Sequence, residues 1–538
     1  MNNAQNDPKR IVLPRWLPFE KASQERELTT FSSQNPQLDR SESVRAFREH
    51  LAEFAAAPQP FIGAELMGIA VVLGETGTAR GLAEYVLTQP ILRSQVVESA
   101  NRILGREIVP AITGPNEGLR TTKARVRAFV RDGLSWMDQA RLYTIKGQYA
   151  QAEKSVRTAL HLCPTDRFVI RSAIRFYVHF RKWDLALDCA LRGYQRTGDP
   201  LIFGPLLGIS MHMGKSLSRS KATVEAALRD RDILLHSETL EAYGTLEILN
   251  GAAQRSKRFF KQAWLDPTVS VVGHSQWILR EHLPTLVGEQ APDFSRSKEA
   301  LGWLRFAMLD FEAVNPIVQD WALEEPFSRS PFILGSNAAC LTDSYADAEV
   351  LANQGLLANP KDPILLNNLA FAQLRQGNLK GAQESFEPVK SRLSDPKEIA
   401  PMATNGLLQM LLGDVSGGVE SYLTAIRRAH DLGDRRLVLR ATLNLMISTL
   451  DVTKSVELPL LKSAQTALRG QTDAGCLGAA LAITRRLERS DLSGTDELST
   501  GAREFCDAVK KEVASFQKTI VANLLEMSKR RNQPLAQS

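Results

Sequence analysis

SWMDQARLYTIKGQYAQAEKSVRTALHLCP, residues Ser135 to Pro164, is the stretch whose reading decides the fold. Ala152 and Ala159 put small side chains where two antiparallel helices would cross too closely for large ones. Gly147 falls between the two helices, at a turn where positive φ or a tight approach is cheap only for glycine. Trp136, Tyr143 and Tyr149 fill the space that the small residues leave, and Pro164 stops the second helix because it cannot continue one. The pattern returns further along. Pro326 and Pro360 stand 34 residues apart, the first preceded by Leu301, Gly302, Phe311 and Trp321, the second by Tyr345, Ala348, Ala352 and Gly355. Matching offsets follow at Leu369, Ala370, Gly377, Ala382 and Phe386. A fixed period of this length marks stacked supersecondary units, so the chain reads as an array of helix pairs.

Residues Trp136, Tyr143, Gly147, Tyr149, Ala152, Val156, Ala159 and Pro164 fall at the offsets of the tetratricopeptide repeat, which this stretch closely resembles. Stepping by 34, with a slip of two before the fourth and eighth, places units at Gly133, Arg167, Leu201, Ser237, Ser295, Arg329, Pro363 and Ile399. The second keeps Tyr177, Trp183 and Ala186, the fourth keeps Tyr243, Gly244, Gly251, Phe260, Ala263 and Pro267, and the last keeps Gly413, Tyr422 and Ala425. The resemblance implies an all-α, right-handed α-solenoid of TPR-like helix-turn-helix repeats. It also implies a non-enzymatic scaffold or adaptor that binds a partner protein or peptide in its concave groove.

The expected organisation follows from these units. Residues 1–40 form a flexible N-terminal segment, 41–132 a helical region, and 133–270 repeats one to four. An interruption at 271–294 precedes repeats five to eight at 295–432, and C-terminal helices fill 433–538. Within the first segment, Pro14 and Pro18 forbid a helix through Ile11–Phe19 and favour an extended course; Leu13–Phe19 would either pack on the first helices as a simple N-terminal tether or dock on a groove, in cis or in trans. Ser41 caps a predicted helix carrying Val44, Phe47, Leu51 and Phe54, and 64–73 and 79–87 read as a further pair. The run Gly74–Arg80 lacks the spacing of a phosphate loop and reads as a turn. His274, Trp277, Ile278, Leu279 and His282 suggest one extra helix in the interruption. Beyond the repeats, 435–450, 458–468 and 479–487 continue as helices. Phe505, Val509, Val513, Phe516, Ile520, Leu524 and Met527 then recur at steps of three and four, the stripe of one long amphipathic helix. This helix either seals the array end, which needs a cover for its apolar face, or pairs with a second copy into an oligomer.

Composition fits an array. At 538 residues the chain exceeds the ~250–300 at which a single core stops growing, a limit that a solenoid evades because each unit buries its face on its neighbours. The fractions of 43% apolar and 23% charged residues are those of a soluble protein. Neither a signal peptide nor a membrane-spanning run is legible, so no membrane partner is expected. Five cysteines, odd in number and without a CxxC pair, argue against a disulfide framework and a zinc site, and for a reducing, cytoplasmic setting. No catalytic motif occurs, neither GxSxG, HExxH, a Walker sequence nor GxGxxG. No catalytic residue, cofactor or metal is therefore expected.

Two site candidates remain. In proteins similar to this one, the second, fifth, ninth and twelfth residues of a unit face the groove. Carried over, these are Arg171, Arg175, Trp303, Phe306, Asn337, Asn367, Phe371 and Leu374. The asparagines would pair with the backbone of an extended peptide, and the aromatic residues would take its apolar side chains. Ile333, Ala400 and Thr404 stand where the chaperone-tail version of the family has cationic clamps, which argues against capture of a chaperone's C-terminal carboxylate. The alternative is a nucleic-acid or phospho-ligand site built from Arg167, Arg171, Arg175, Arg181 and Lys182, the first three on one helix face. Charge supports some polarity: residues 120–200 carry 16 Lys and Arg against 7 Asp and Glu, residues 300–375 carry 4 against 9. Such a gradient can orient an elongated ligand.

Overall fold

A computed structural model describes residues 11–22, 40–73, 75–89, 94–105, 115–215, 220–229, 233–283, 291–489 and 496–531. The described residues form helices joined by short turns, with no strand among them. They stack as an array of helix pairs. It divides into two compact units, one of Leu13–Ile209 and one of Met1–Val12 with Ser210–Ser538.

The Leu13–Ile209 unit opens with the single turn α1 (Phe19–Ala22). Helices α2 (Arg40–Ala56), α3 (Pro60–Leu73), α4 (Thr76–Leu87) and α5 (Ser94–Ile103) follow. Phe47, Phe54, Leu66, Met67, Leu82 and Val86 bury one core among them. Helix α6 (Pro115–Ala128) leads into two regular pairs, α7 (Gly133–Ile145) with α8 (Tyr149–Leu162), and α9 (Arg167–His179) with α10 (Trp183–Thr197). Helix α11 (Pro200–His212) begins after them. The pairs open as the period predicts because the same cap recurs one repeat apart. Asp132 accepts from the Ser135 amide at 3.2 Å, and Asp166 from the Val169 amide at 2.9 Å. A side-chain acceptor at this place satisfies one of the amides that a helix start leaves open. Ala152, Ala159, Ala186 and Ala190 are wholly buried at the crossings, as their small size requires.

The turn between paired helices is equally regular. Its residue has left-handed φ at Gly147 (66°), Gly377 (80°) and Gly413 (98°), but the same place holds Arg181 (55°), Leu309 (62°) and Asp343 (60°). A left-handed conformation costs an L-residue about 1–2 kcal/mol, partly offset in glycine by about 0.5–1 kcal/mol of lost chain entropy. Arg181 is exposed. Arg181→Gly is therefore expected to stabilise its unit by about 0.5–1 kcal/mol. A lower melting temperature in the variant would contradict this account of the turn.

The second unit contains α12 (Ser220–Ala227), α13 (Ile233–Leu249), α14 (Ala253–Ala263) and α15 (Val269–Glu281). A 3-10 turn at Phe294–Arg296 precedes the pairs α16 (Lys298–Ala307) with α17 (Phe311–Glu324), α18 (Ser330–Leu341) with α19 (Tyr345–Ala358), and α20 (Pro363–Arg375) with α21 (Leu379–Lys390). A fourth pair is α22 (Ile399–Leu411) with α23 (Val415–Asp431). Within the expected interruption at 271–294, α15 packs on both α13 and α16. Thr268 caps it, donating to buried Glu238 at 3.0 Å and accepting from the Val271 amide at 3.2 Å. His274 lies inside this unit against Glu241, whose carboxylate also accepts from Trp264 and Ser275.

Four C-terminal helices complete this unit: α24 (Arg435–Thr453), α25 (Leu458–Leu468), α26 (Ala474–Arg489) and α27 (Glu497–Arg531). Phe505 and Val509 of α27 are fully buried, and Val513 and Phe516 pack at the margin of the same core. The first half of the predicted stripe is thus covered within one chain. The side chains of Ile520, Leu524 and Met527 lie outside the described residues. Among the described residues no helix is long and apolar enough to cross a membrane.

Candidate functional site

Helices α18, α20 and α22 are the first helices of three successive pairs, and they turn their polar inner faces toward α24 and α26. A cavity of about 70 Å³ lies between them, lined on one side by Asn337, Asn367 and Phe371 and on the other by Arg440 and Arg486. Asn368 donates to Ser336 Oγ at 2.9 Å and to Asn337 Oδ1 at 3.4 Å. Asn367 is only 4% exposed, and its Oδ1 has no hydrogen-bond partner among the described residues. The Nε of Arg440 is likewise buried without one. Leaving such a group unmatched costs about 1–3 kcal/mol, so the cavity is a place where a donor and an acceptor are missing.

Helix α26 is held over these repeats by charge. Arg486 donates to Asp451 at 3.0 Å, to Asp343 at 2.9 Å and to the Tyr345 hydroxyl at 3.0 Å. Arg375 reaches Asp451 from the other side at 2.6 Å, and Tyr345 donates to Asp343 at 2.8 Å. Burial alone would raise the Asp343 carboxyl, but the Tyr345 hydroxyl and the Arg486 and Arg485 guanidinium groups outweigh it and hold it below the usual carboxylate range. Burial pushes the Tyr345 hydroxyl and the Cys340 thiol up to about 12, so both stay protonated at neutral pH. Among the described residues no cluster of His, Cys, Asp and Glu could hold a metal ion.

The structure thus brings Asn337, Asn367 and Phe371 together and separates the other expected groove residues from them. Leu374 is 2% exposed and belongs to the core between pairs, because the twelfth place of its helix turns into the stack. Trp303 and Phe306 are half-buried against a core that includes α26 and α27, with Arg280 stacked 4.6 Å over the Trp303 ring. They are not an open apolar wall, because the Arg280 guanidinium lies on the Trp303 ring and Phe306 meets Trp303 and Phe311 edge-on at 6.0 and 5.1 Å. Sequence reading missed the packing of α26 against this core. Its one local signal is the small-residue face of α26: a Cβ on Gly478 would stand 2.7 Å from the Phe311 ring.

The basic cluster also needs correction. Arg167 is 4% exposed and forms a bidentate pair with Asp199, and Arg171, 5% exposed, donates to the Leu201 carbonyl at 2.5 Å. Both guanidinium groups tie α9 to the chain at the start of α11, since a buried arginine must find acceptors. Arg175 is half-buried, and only Arg181 and Lys182 are exposed, at the turn after α9. The five do not form one open cationic face.

Sequence reading left the Leu13–Phe19 segment either as a tether packed on the helices or as a docking segment in cis or in trans, and in the structure it packs on helices of its own chain. Trp16 is fully buried, with its ring edge-on to Phe176 at 6.1 Å, and Phe19 meets Phe168 at 5.1 Å. Arg141 Nε donates to the Trp16 carbonyl at 3.0 Å, and the Phe19 amide donates to Asp138 Oδ1 at 2.9 Å. Arg141 and Phe168 occupy the ninth and second places of their units, the concave positions that the resemblance implies.

No family model matches the chain, and no curated protein is similar to it in sequence. Among solved structures it is similar to the APC/C hetero-tetramer Cut9–Hcn1, at 11% identity over 95% of this chain and 98% of that one, with a TM-score of 0.39. It is also similar to yeast Tom70, at 12% identity over 96% of this chain and 99% of that one, with a TM-score of 0.29. Neither likeness bears on a partner or an activity.

Proposed function

We propose that this protein is a non-catalytic scaffold that binds a partner protein through the inner faces of α18, α20 and α22. The observation that carries the reading is Asn367 Oδ1, a buried acceptor without a donor in a cavity flanked by Asn337 and Arg440. An amide N–H of a partner supplies the missing donor, and a carbonyl or carboxylate suits Arg440. At about 70 Å³ the cavity is less than half the ~150 Å³ that takes a benzene ring, so with α26 in place it admits a side-chain head or a chain end and not a helix. Phosphate or nucleic-acid binding through Arg167, Arg171, Arg175, Arg181 and Lys182 is favoured by no comparable observation, since two of the five are committed to packing.

The test compares proteins retained by the wild type and by an Asn337→Ala/Asn367→Ala/Phe371→Ala variant shown to be folded by circular dichroism. Loss of specific partners from the variant is expected. An identical set of retained proteins would overturn the assignment of this cavity.

A further inference from the structure

We propose that the exposed face of α6 is an electrostatic docking ridge for the phosphate backbone of double-stranded nucleic acid. Residues 115–131 carry Arg120, Lys123, Arg125, Arg127 and Arg131 against the single carboxylate of Glu117. The helix sorts these charges by face. Leu119, Thr122, Arg125 and Val126 form its buried side, and α6 packs on α7. Arg120, Lys123 and Arg127 are exposed, and at 3.6 residues per turn they fall within roughly 60° of one another. Arg131, also exposed, adds a charge at the turn that follows. A neighbouring helix supplies one more. Lys146, just past the end of α7, donates to Asn116 Oδ1 at 2.8 Å, which fixes its amine at the start of α6.

Among the described residues little balances this face. Glu117 approaches Arg120 only to 3.8 Å, with both side chains more than half exposed, a pairing of little worth in water. No ion pair joins Lys123, Arg127, Arg131 or Lys146 among the described residues. Lys123 lies 5.4 Å from the centre of the Tyr143 ring, a contact that leaves its charge in place. Like charges three and four residues apart destabilise the helix that bears them, so Arg120, Lys123 and Arg127 stand at spacings that oppose folding. The helix dipole favours a cation in the last turn, which accounts for Arg127 but not for Arg120 and Lys123 further up α6. An external polyanion removes the repulsion.

The chemistry of the face selects the kind of polyanion. Apart from Val130, residues 115–131 expose no large apolar side chain. Protein interfaces and interfacial membrane helices both depend on such anchors, whereas a phosphate backbone is held by charge alone. Three of the exposed cations, Arg120, Arg127 and Arg131, are arginines, whose planar guanidinium groups match phosphate oxygens two at a time. The ridge lies in the Leu13–Ile209 unit and shares no residue with the Asn367 cavity, so its failure would leave the role of that cavity untouched.

The experiment measures fluorescence anisotropy of a labelled, mixed-sequence DNA duplex of about 20 base pairs with full-length protein over a range of salt concentrations. Contact with four or five phosphates predicts a slope of roughly −3.6 to −4.5 in log K against log salt, or about 150- to 500-fold weaker binding at 200 than at 50 mM. An Arg120→Gln/Lys123→Gln/Arg127→Gln variant should melt with the wild type, because all three side chains are exposed. It should bind at least tenfold more weakly at low salt, with the slope reduced by about 0.9 per contact removed, roughly 2.7 in all. Lys154→Gln/Arg192→Gln/Arg196→Gln removes the same charge from exposed positions outside the ridge and should bind nearly as the wild type. Absence of binding at low salt, or equal losses in the two variants, would overturn the proposal. So would polyglutamate or phosphatidylserine vesicles that displace the duplex as effectively as unlabelled duplex does at equal charge.

Discussion

Asp199→Ala is expected to destabilise the Leu13–Ile209 unit by about 3–5 kcal/mol, the cost of leaving a buried charge without its partner. The Arg167 and Asp199 side chains are 3% and 1% exposed, and two parallel contacts of 2.5 and 2.9 Å join them. Asp199 Oδ1 also accepts from the Leu201 amide at 3.0 Å, so the substitution removes the acceptor that starts α11 as well. At roughly 2–4 °C per kcal/mol for a unit of this size, the melting temperature should fall by about 6–20 °C. Replacing both partners, as Arg167→Met/Asp199→Leu, should recover most of the loss, because a buried ion pair is often no better than well-packed apolar groups. A single variant that loses under about 1 kcal/mol would mean that water reaches the pair, and the account of Arg167 as an inter-repeat tie would fail.

Removal of residues 499–538 should have the second large effect. It takes away Phe505, Val509, Ala502 and Cys506, all buried, and opens the faces of α25 and α26 that they cover. Phe505 and Val509 alone represent roughly 3–6 kcal/mol at ~1.5–3 each, against the ~5–15 kcal/mol by which a domain is typically stable. The truncated protein should melt far below the full chain or precipitate. If the stripe's chief role is pairing with a second copy, truncation should leave a folded, soluble monomer. Thermal melting combined with light scattering separates the two outcomes. A truncated chain that melts within a few degrees of the intact one would end the capping assignment.

The two predictions rest on different kinds of legibility. Helix pairs open at Gly133, Arg167, Pro363 and Ile399, where stepping by 34 places them, because caps and small residues repeat with the period. The turn position is legible for the same reason, even where Arg181 or Asp343 replaces glycine. The long amphipathic helix was visible in its stripe, although what covers it was not. The site was only partly legible. Asn337, Asn367 and Phe371 do converge, while Leu374 turned out to be core and Arg167 and Arg171 to be structural ties. A helical wheel shows which residues share a face, but not whether that face meets solvent or a neighbour.

The sequence by itself determined the class of fold, the start of the pairs at Gly133, Arg167, Pro363 and Ile399, and the absence of a helix through Leu13–Pro18. Each of these depends on contacts within a repeat or between adjacent ones, and such contacts leave a periodic trace. Only the tertiary structure decided that α26 lies over the inner faces of α18 and α20, and that the N-terminal segment sits on α7 and α9. Arg486 meets Asp343 across 143 residues of chain, and Arg141 meets Trp16 across 125. Contacts at such separations occur once, so no repetition in the sequence announces them. Burial and charge pairing select them only after the helices have formed, when the remaining apolar and ionic groups must find partners in three dimensions.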